Sequence, residues 1–231
     1  MALPKLNDTP KYDLIIPSTG KKVRFRPYLV KEEKVLMLAA ETKDSTQIMS
    51  AVMDTIEACV QLPLDVNKLT TFDIEYLFIK LRAKSVGESS NITVKCSSCE
   101  HMNEYSINLD DIECKGNKKD KLIQIDDKIT IEMKYPSYKD IDLNDDETEL
   151  GFKLLANSMS AVITEDERID IEDETPENVR SFLESMTKEQ FEKVSSFFLD
   201  MPQVKHDVEF DCEKCNTNNK IELKGIQSFF M

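Results

Sequence analysis

Two C-x-x-C pairs constrain the fold of this chain more than any other feature of its sequence. Cys96 and Cys99 form the first pair, Cys212 and Cys215 form the second, and strand-like residues flank each pair on both sides. Two thiolates at a tight turn can hold a metal ion from one side, and two such turns complete the tetrahedral four-cysteine site of structural zinc. Since four thiolates leave no open coordination position, the pattern predicts a structural zinc with these four cysteines as its ligands.

Redox-active and unmetallated cysteines are the alternatives to a zinc site. The N-terminus lacks the apolar segment of a secretory signal, so the pairs indicate metal or redox sites before structural disulfides. Redox C-x-x-C motifs usually open a helix after a strand, whereas both pairs are predicted to lie at hairpin tips. Cys59 and Cys114 are not expected to bind metal. His101 and His206 lie near the pairs and could replace a cysteine, but four thiolates already satisfy zinc.

The composition argues against several classes of protein. The chain has 231 residues, a formal net charge of −14 and no apolar run near the ~20 residues that a membrane span needs. We recognise no phosphate-binding loop, dinucleotide fingerprint, metalloprotease motif or nucleophilic triad, so we predict a non-enzymatic protein without catalytic residues. The acidic charge and the non-basic cysteine loops argue against nucleic-acid binding, although a zinc ribbon that binds nucleic acid stays as an alternative.

The charges are unevenly distributed along the chain. Residues 140–149 carry six carboxylates and no Lys or Arg, and residues 165–177 carry eight carboxylates and one Arg168. Basic residues cluster between Lys21 and Lys34. These stretches are solvated loops and one basic strand in the simpler interpretation, and a docking face for a charged partner in the other.

Hydrophobic periodicity and turn residues predict an α+β fold. Strands are predicted at residues 12–16, 23–26, 92–95, 105–109, 122–125, 129–133, 208–210 and 220–223. Helices are predicted at residues 31–40, 45–60 and 147–163, after Thr71, and after the capping signals at Thr175 and Thr187.

The order of these elements predicts two similar halves, residues 1–114 and 115–231. Each half has a β-hairpin, helices and one cysteine knuckle. Pro27 and Pro136, which end the two hairpins, lie 109 residues apart. The corresponding cysteines of the two pairs lie 116 residues apart. Such nearly constant offsets indicate an internal repeat. The two halves are then expected to share one zinc in a four-cysteine zinc ribbon and to form one compact unit.

The segment Pro17–Lys34, PSTGKKVRFRPYLVKEEK, resembles a baseplate protein family of T-even-type contractile-tailed phages. Members of that family are associated with the central hub of the tail baseplate, as hub components or as factors that assist hub assembly. The resemblance implies a non-enzymatic viral protein, made in the bacterial cytoplasm, whose partners are other phage baseplate hub proteins. It is then either part of the virion tail baseplate or a transient assembly chaperone absent from the virion. The turn and basic strand of this segment are interpreted as a charge-protected edge strand or as a surface that docks a baseplate partner.

Overall fold

The fold is α+β, as the sequence predicts. The computed structural model describes residues 9–61, 64–116, 121–138, 147–199 and 201–229. These residues form six α-helices and small antiparallel sheets. Within them, no helix combines the length and the apolar character that crossing a membrane requires.

The chain is divided into two compact units. Unit 1 comprises Met1–Val66, Phe72–Lys115 and Gln203–Met231, and unit 2 comprises Asn67–Thr71 and Gly116–Pro202. Both C-x-x-C pairs therefore lie in unit 1. The predicted halves, 1–114 and 115–231, which are expected to form one compact unit around a shared zinc, stay a prediction.

Unit 1 consists of three small sheets and three helices. Its first elements are β1 (Tyr12–Ile15), β2 (Lys22–Phe25), α1 (Val30–Thr42), α2 (Ser45–Cys59) and α3 (Thr71–Ser85). Its remaining strands are β3 (Ser89–Lys95), β4 (Met102–Asn108), β5 (Glu113–Lys115), β10 (Gln203–Asp211) and β11 (Asn218–Lys224), and most of unit 2 lies between β5 and β10 in the sequence. All pairs are antiparallel: β1 with β2, β3 with β4, and β10 with both β11 and β5. We call β3–β4 the first ribbon and β10–β11 the second ribbon.

Helix α3 and the two ribbons share one apolar core. Every second residue of β3 is buried, which is the alternation expected of a strand with one face on a core. The buried residues of this core are Ile79, Ala83, Ile92, Val94, Ile107, Leu109, Ile112, Val204, Val208 and Phe210. Since apolar burial contributes ~25 cal/mol per Å², packing holds the ribbons together at their bases independently of any metal at their tips.

The first part of the segment Pro17–Lys34 makes contacts within unit 1. The N–H of Ser18 donates to Asp73 Oδ1 at 2.9 Å, which attaches the β1–β2 turn to α3. Lys22 and Arg24 on β2 both form ion pairs with Asp13 on β1, at 2.9 and 3.0 Å. The two basic side chains of this strand thus share one carboxylate on its neighbour, which offsets part of their charge.

Arg26 and Glu32 form a largely buried ion pair at the start of α1. Arg26 donates to Glu32 Oε1 at 2.9 Å and to the carbonyls of Pro27 and Ala58 at 2.9 and 3.1 Å. Glu32 Oε2 accepts from the N–H of Leu29 at 2.8 Å, so the carboxylate also caps the helix. Although burial raises the pKa of Glu32, the hydrogen bonds from Arg26 and Leu29 lower it overall. This part of the segment therefore has a structural role, because it holds the start of α1 in place.

Glu75 on α3 gives unit 1 a predicted pH dependence. Burial raises the pKa of Glu75 to about 7, although the backbone N–H of Ile226 donates to it. The folded state then binds the proton more tightly than the unfolded chain, so this group stabilises most at low pH, and its contribution falls as pH rises from about 4.5 to 7. We expect Glu75→Gln to raise the free energy of unfolding at pH 8 by on the order of 2 kcal/mol.

Urea denaturation of the wild type and Glu75→Gln at pH 5 and pH 8 measures this effect. Glu57→Gln, at an exposed position on α2, is the matched control and should leave the pH dependence unchanged. Equal pH dependence in the wild type and Glu75→Gln would show that Glu75 is ionised without cost in the folded protein.

Unit 2 is a four-stranded antiparallel sheet with three helices. Its strands, in the sheet order β6-β7-β8-β9, are β6 (Leu122–Gln124), β7 (Thr130–Met133), β8 (Met159–Ile163) and β9 (Arg168–Asp170). Its helices are α4 (Glu147–Ser158), α5 (Pro176–Glu184) and α6 (Lys188–Leu199). The buried residues of its core are Ile125, Ile131, Met133, Leu155, Met159, Val162, Val179, Leu183, Val194 and Phe197.

The capping signals in unit 2 are confirmed. Thr175 Oγ1 accepts from the N–H of Asn178 at the start of α5, and Pro176 occupies the first turn. Thr187 and Gln190 form the predicted capping box of α6, each side chain accepting from the other residue's N–H. Local sequence therefore determines where these helices begin.

The predicted helix over residues 147–163 is wrong in its last third. Helix α4 ends at Ser158, and residues 159–163 form β8 between β7 and β9. The β-branched Val162 and Ile163 favour a strand, and pairing on both sides outweighs the helical spacing of the apolar residues.

The sequence pattern also does not predict strands β5 and β9. Strand β9 lies within the acidic stretch 165–177. Of the other acidic stretch, residues 140–146 lie outside the described residues.

Candidate metal centre

The structure brings the four predicted cysteines together at the tips of the two ribbons. The Sγ atoms of Cys96, Cys99, Cys212 and Cys215 all lie within 4.8 Å of one another. Across the ribbons, Cys96 Sγ lies 3.7 Å from Cys215 Sγ, and Cys99 Sγ lies 3.6 Å from Cys212 Sγ. A tetrahedral zinc with Zn–S bonds of about 2.3 Å requires sulfurs about 3.8 Å apart. The two cross-ribbon distances are close to that spacing and are far too long for a disulfide.

Each C-x-x-C pair lies in the same kind of tight turn. In the first, the N–H of Cys96 donates to the carbonyl of His101 at 2.9 Å; in the second, Cys212 donates to Thr217 at 3.0 Å. The residue after each second cysteine has a left-handed backbone, with φ of 59° at Glu100 and 56° at Asn216. Asn tolerates that conformation better than most residues, so Glu100 is the less usual occupant of the two. Both turns therefore point two thiols to one side.

The metal-free cluster has an uneven distribution of thiol pKa values. Hydrogen bonds from the backbone N–H groups of Cys99 and Ser98 lower the pKa of Cys96 to about 6. The hydroxyl of Thr217 lowers the pKa of Cys215. The backbone N–H of His101 lowers the pKa of Cys99, but desolvation and the neighbouring thiols outweigh it and raise the value to about 12. Such a cluster resists ionising all its thiols at once, and a bound divalent cation removes that repulsion.

The cluster lies at the surface but is closed on its inner side. Cys96 and Cys212 are buried, Cys99 is half-buried and Cys215 is exposed. Cys215 is therefore the member of the cluster most accessible to solvent. With four sulfurs around it, a bound ion has no place for a substrate or a reactive water.

The other two cysteines and the two histidines lie outside the cluster. Among the described residues, the group of close metal-ligating atoms contains neither Cys59 nor Cys114, and neither His101 nor His206. Burial raises the pKa of Cys59 to about 11 and that of Cys114 to about 12, so both thiols are neutral at physiological pH.

A cavity of about 450 Å³ lies in unit 2, between α4 and α5. Its wall includes the apolar side chains of Phe152, Ile171 and Val179. Arg180 at this cavity forms ion pairs with Glu149 and Glu184, at 3.0 and 2.9 Å. The residues that line it include no His, Cys or Ser.

Sequence reasoning missed two residues that support the cluster. Asn103 and Asn219 are buried, each four residues after the second cysteine of its pair, and both hydrogen-bond across the ribbons. The signal was present in the sequence, because these two asparagines have the same 116-residue offset as the cysteine pairs.

Comparison with known proteins identifies the family of the chain. No curated protein and no solved structure matches it at a significant level. The family model described as T4 bacteriophage base plate protein matches residues 9–231. This match confirms the resemblance carried by the segment Pro17–Lys34. The chain therefore belongs to the T4 bacteriophage base plate protein family.

Proposed function

We propose that this protein is a non-enzymatic component of the central hub of the phage tail baseplate and carries a structural zinc. Its family supports a role in the baseplate, and the four gathered thiols, Cys96, Cys99, Cys212 and Cys215, are the observation that supports the zinc. Tetrahedral sulfur coordination favours zinc or an iron–sulfur cluster, and a single ion fits sulfurs 3.6–3.7 Å apart. The zinc holds the tips of the two ribbons together.

Metal analysis tests the zinc directly. Protein purified under reducing conditions without chelator is expected to contain about one zinc per chain and no stoichiometric iron, because the four thiols form one closed tetrahedral site. Inductively coupled plasma mass spectrometry measures both metals. A zinc content near zero in folded, reduced protein would refute the zinc site while leaving the baseplate role untouched.

Contacts with other hub proteins are the proposed mode of action, and α1 supports this. Half of the ten exposed large apolar side chains among the described residues lie between Leu29 and Leu38. Val30, Met37 and Leu38 are 79%, 61% and 54% exposed. Clusters of exposed apolar side chains usually mark protein–protein contacts.

A transient assembly chaperone is the alternative within the same family. A hub component stays in the particle, whereas a chaperone leaves it after assembly. Quantitative mass spectrometry of purified virions distinguishes the two, and for a hub component we expect a fixed copy number relative to known tail proteins. Absence from virions, with abundant protein in infected cells, would support the chaperone.

Nucleic-acid binding is the less favoured alternative. The lysines on the ribbons lie beside carboxylates, with ion pairs from Lys95 to Glu100 at 3.2 Å and from Lys220 to Glu209 at 3.2 Å. These paired lysines offer little free positive charge to phosphate groups. Tight binding to DNA or RNA that weakens steeply with salt would contradict this conclusion.

A further inference from the structure

A buried asparagine from each ribbon reaches across to the cysteine turn of the other. Asn103 Oδ1 accepts from the N–H of Glu213, and Asn219 Oδ1 accepts from the N–H of Ser97, both at 2.9 Å. Ser97 and Glu213 are equivalent positions, because each follows the first cysteine of its pair. The exchange is therefore reciprocal, with one side chain passing in each direction between the ribbons.

Each of these amides is also held within its own ribbon. Asn103 Nδ2 donates to the carbonyl of His101 at 3.0 Å, and Asn219 Nδ2 donates to the carbonyl of Thr217 at 2.7 Å. The two asparagines are only 3% and 5% exposed. A buried amide with its acceptor and donor both satisfied has one orientation, since any rotation leaves polar atoms unpaired at a cost of about 1–3 kcal/mol.

We propose that Asn103 and Asn219 are positioning residues of the metal centre and hold the two cysteine turns at the ligand spacing before a metal binds. Each bond fixes the backbone immediately after Cys96 or Cys212, the two most buried ligands. We call these two reciprocal hydrogen bonds the clasp. The clasp pre-organises all four thiols, so that metal binding requires less ordering of the chain. This inference extends the proposed zinc site.

The two asparagines of the clasp differ in their contact with sulfur. Asn219 Nδ2 lies 3.6 Å from Cys96 Sγ and can donate to that sulfur, whereas Asn103 has no described hydrogen bond to a sulfur. Asn219 therefore both positions the turn and supports a ligand atom directly. Loss of an outer partner of a metal ligand costs about 10–100-fold in affinity, so Asn219 is expected to have the larger effect.

Amide hydrogen exchange of the reduced, metal-free protein tests the pre-organisation. We expect the N–H groups of Ser97 and Glu213 to be protected in the wild type. Asn219→Ala should remove protection at Ser97 alone, and Asn103→Ala should remove it at Glu213 alone. Asn91→Ala, at an exposed position on β3, is the control and should change neither. Rapid exchange at both amides in the metal-free wild type would overturn the proposal, without any variant having to fold.

Zinc affinity, measured by competition with a chromophoric chelator, tests the consequence for the metal. Asn219→Ala is expected to weaken zinc binding by about 10–100-fold, and Asn103→Ala by less. Affinity equal to that of wild type in the folded double variant would refute the positioning role. If the wild type binds no zinc, the proposed metal centre fails, but protection of the Ser97 and Glu213 amides still decides whether the clasp exists.

Discussion

Replacing Cys96 by serine is expected to abolish stoichiometric zinc binding and to lower the melting temperature of the protein by roughly 10 °C. A serine hydroxyl is a poor zinc ligand, and the three remaining thiols leave an open site. Structural zinc contributes ~10–16 kcal/mol to folding in small zinc peptides. The loss is smaller here, because the shared apolar core still holds the ribbons at their bases. Cys212→Ser should act in the same way, since both cysteines begin an equivalent turn.

Zinc content and calorimetry with and without a chelator check this prediction. The chelator should lower the melting temperature of the wild type to that of Cys96→Ser and should leave the variant unchanged. Cys114→Ser is the matched control, because its thiol lies outside the cluster, and it should retain zinc. Full zinc in Cys96→Ser would mean that Cys96 is not a ligand.

Arg26→Ala is expected to lower the free energy of unfolding by about 3 kcal/mol, because it leaves the buried carboxylate of Glu32 with only the exposed Lys31, at 3.3 Å, as a charged partner. The side chains of Arg26 and Glu32 are only 18% and 8% exposed. The substitution also removes the donor to the carbonyl of Ala58, which connects the start of α1 to α2. Urea denaturation measures the change.

Arg24→Ala is a matched control two residues earlier in the same segment. Arg24 also forms an ion pair, but its side chain is 57% exposed and Asp13 is 41% exposed, so water replaces most of the interaction. The urea midpoint should stay almost unchanged. Similar losses from both substitutions would show that the buried pair has no special role.

The 116-residue offset is the observation behind the prediction of two related halves. Three features recur at this offset: the cysteine pairs, the left-handed residues Glu100 and Asn216, and the asparagines of the clasp. The agreement is strongest in the ribbons, whose two cysteine turns have the same backbone hydrogen bonds and the same left-handed residue.

The basic residues of the segment Pro17–Lys34 have roles that the sequence alone left open. Their charge suggested either a protected edge strand or a docking surface, and charge alone cannot choose between them. In the structure, Lys22 and Arg24 both pair with Asp13. Arg26 pairs with Glu32, so three basic side chains of the segment make contacts within the fold. The exposed apolar residues follow on α1.

Residue types at short spacing are enough to predict the two C-x-x-C pairs as candidate ligands, the capped starts of α5 and α6, and the family resemblance of the segment Pro17–Lys34. The folded chain was needed to show that residues 159–163 form a strand, that Arg26 contacts Glu32, and that Asn103 and Asn219 each bond to the opposite ribbon. These features depend on partners distant in the chain. Strand pairing, burial of charge and cross-ribbon hydrogen bonds acquire their energies only when the folded chain brings such partners together.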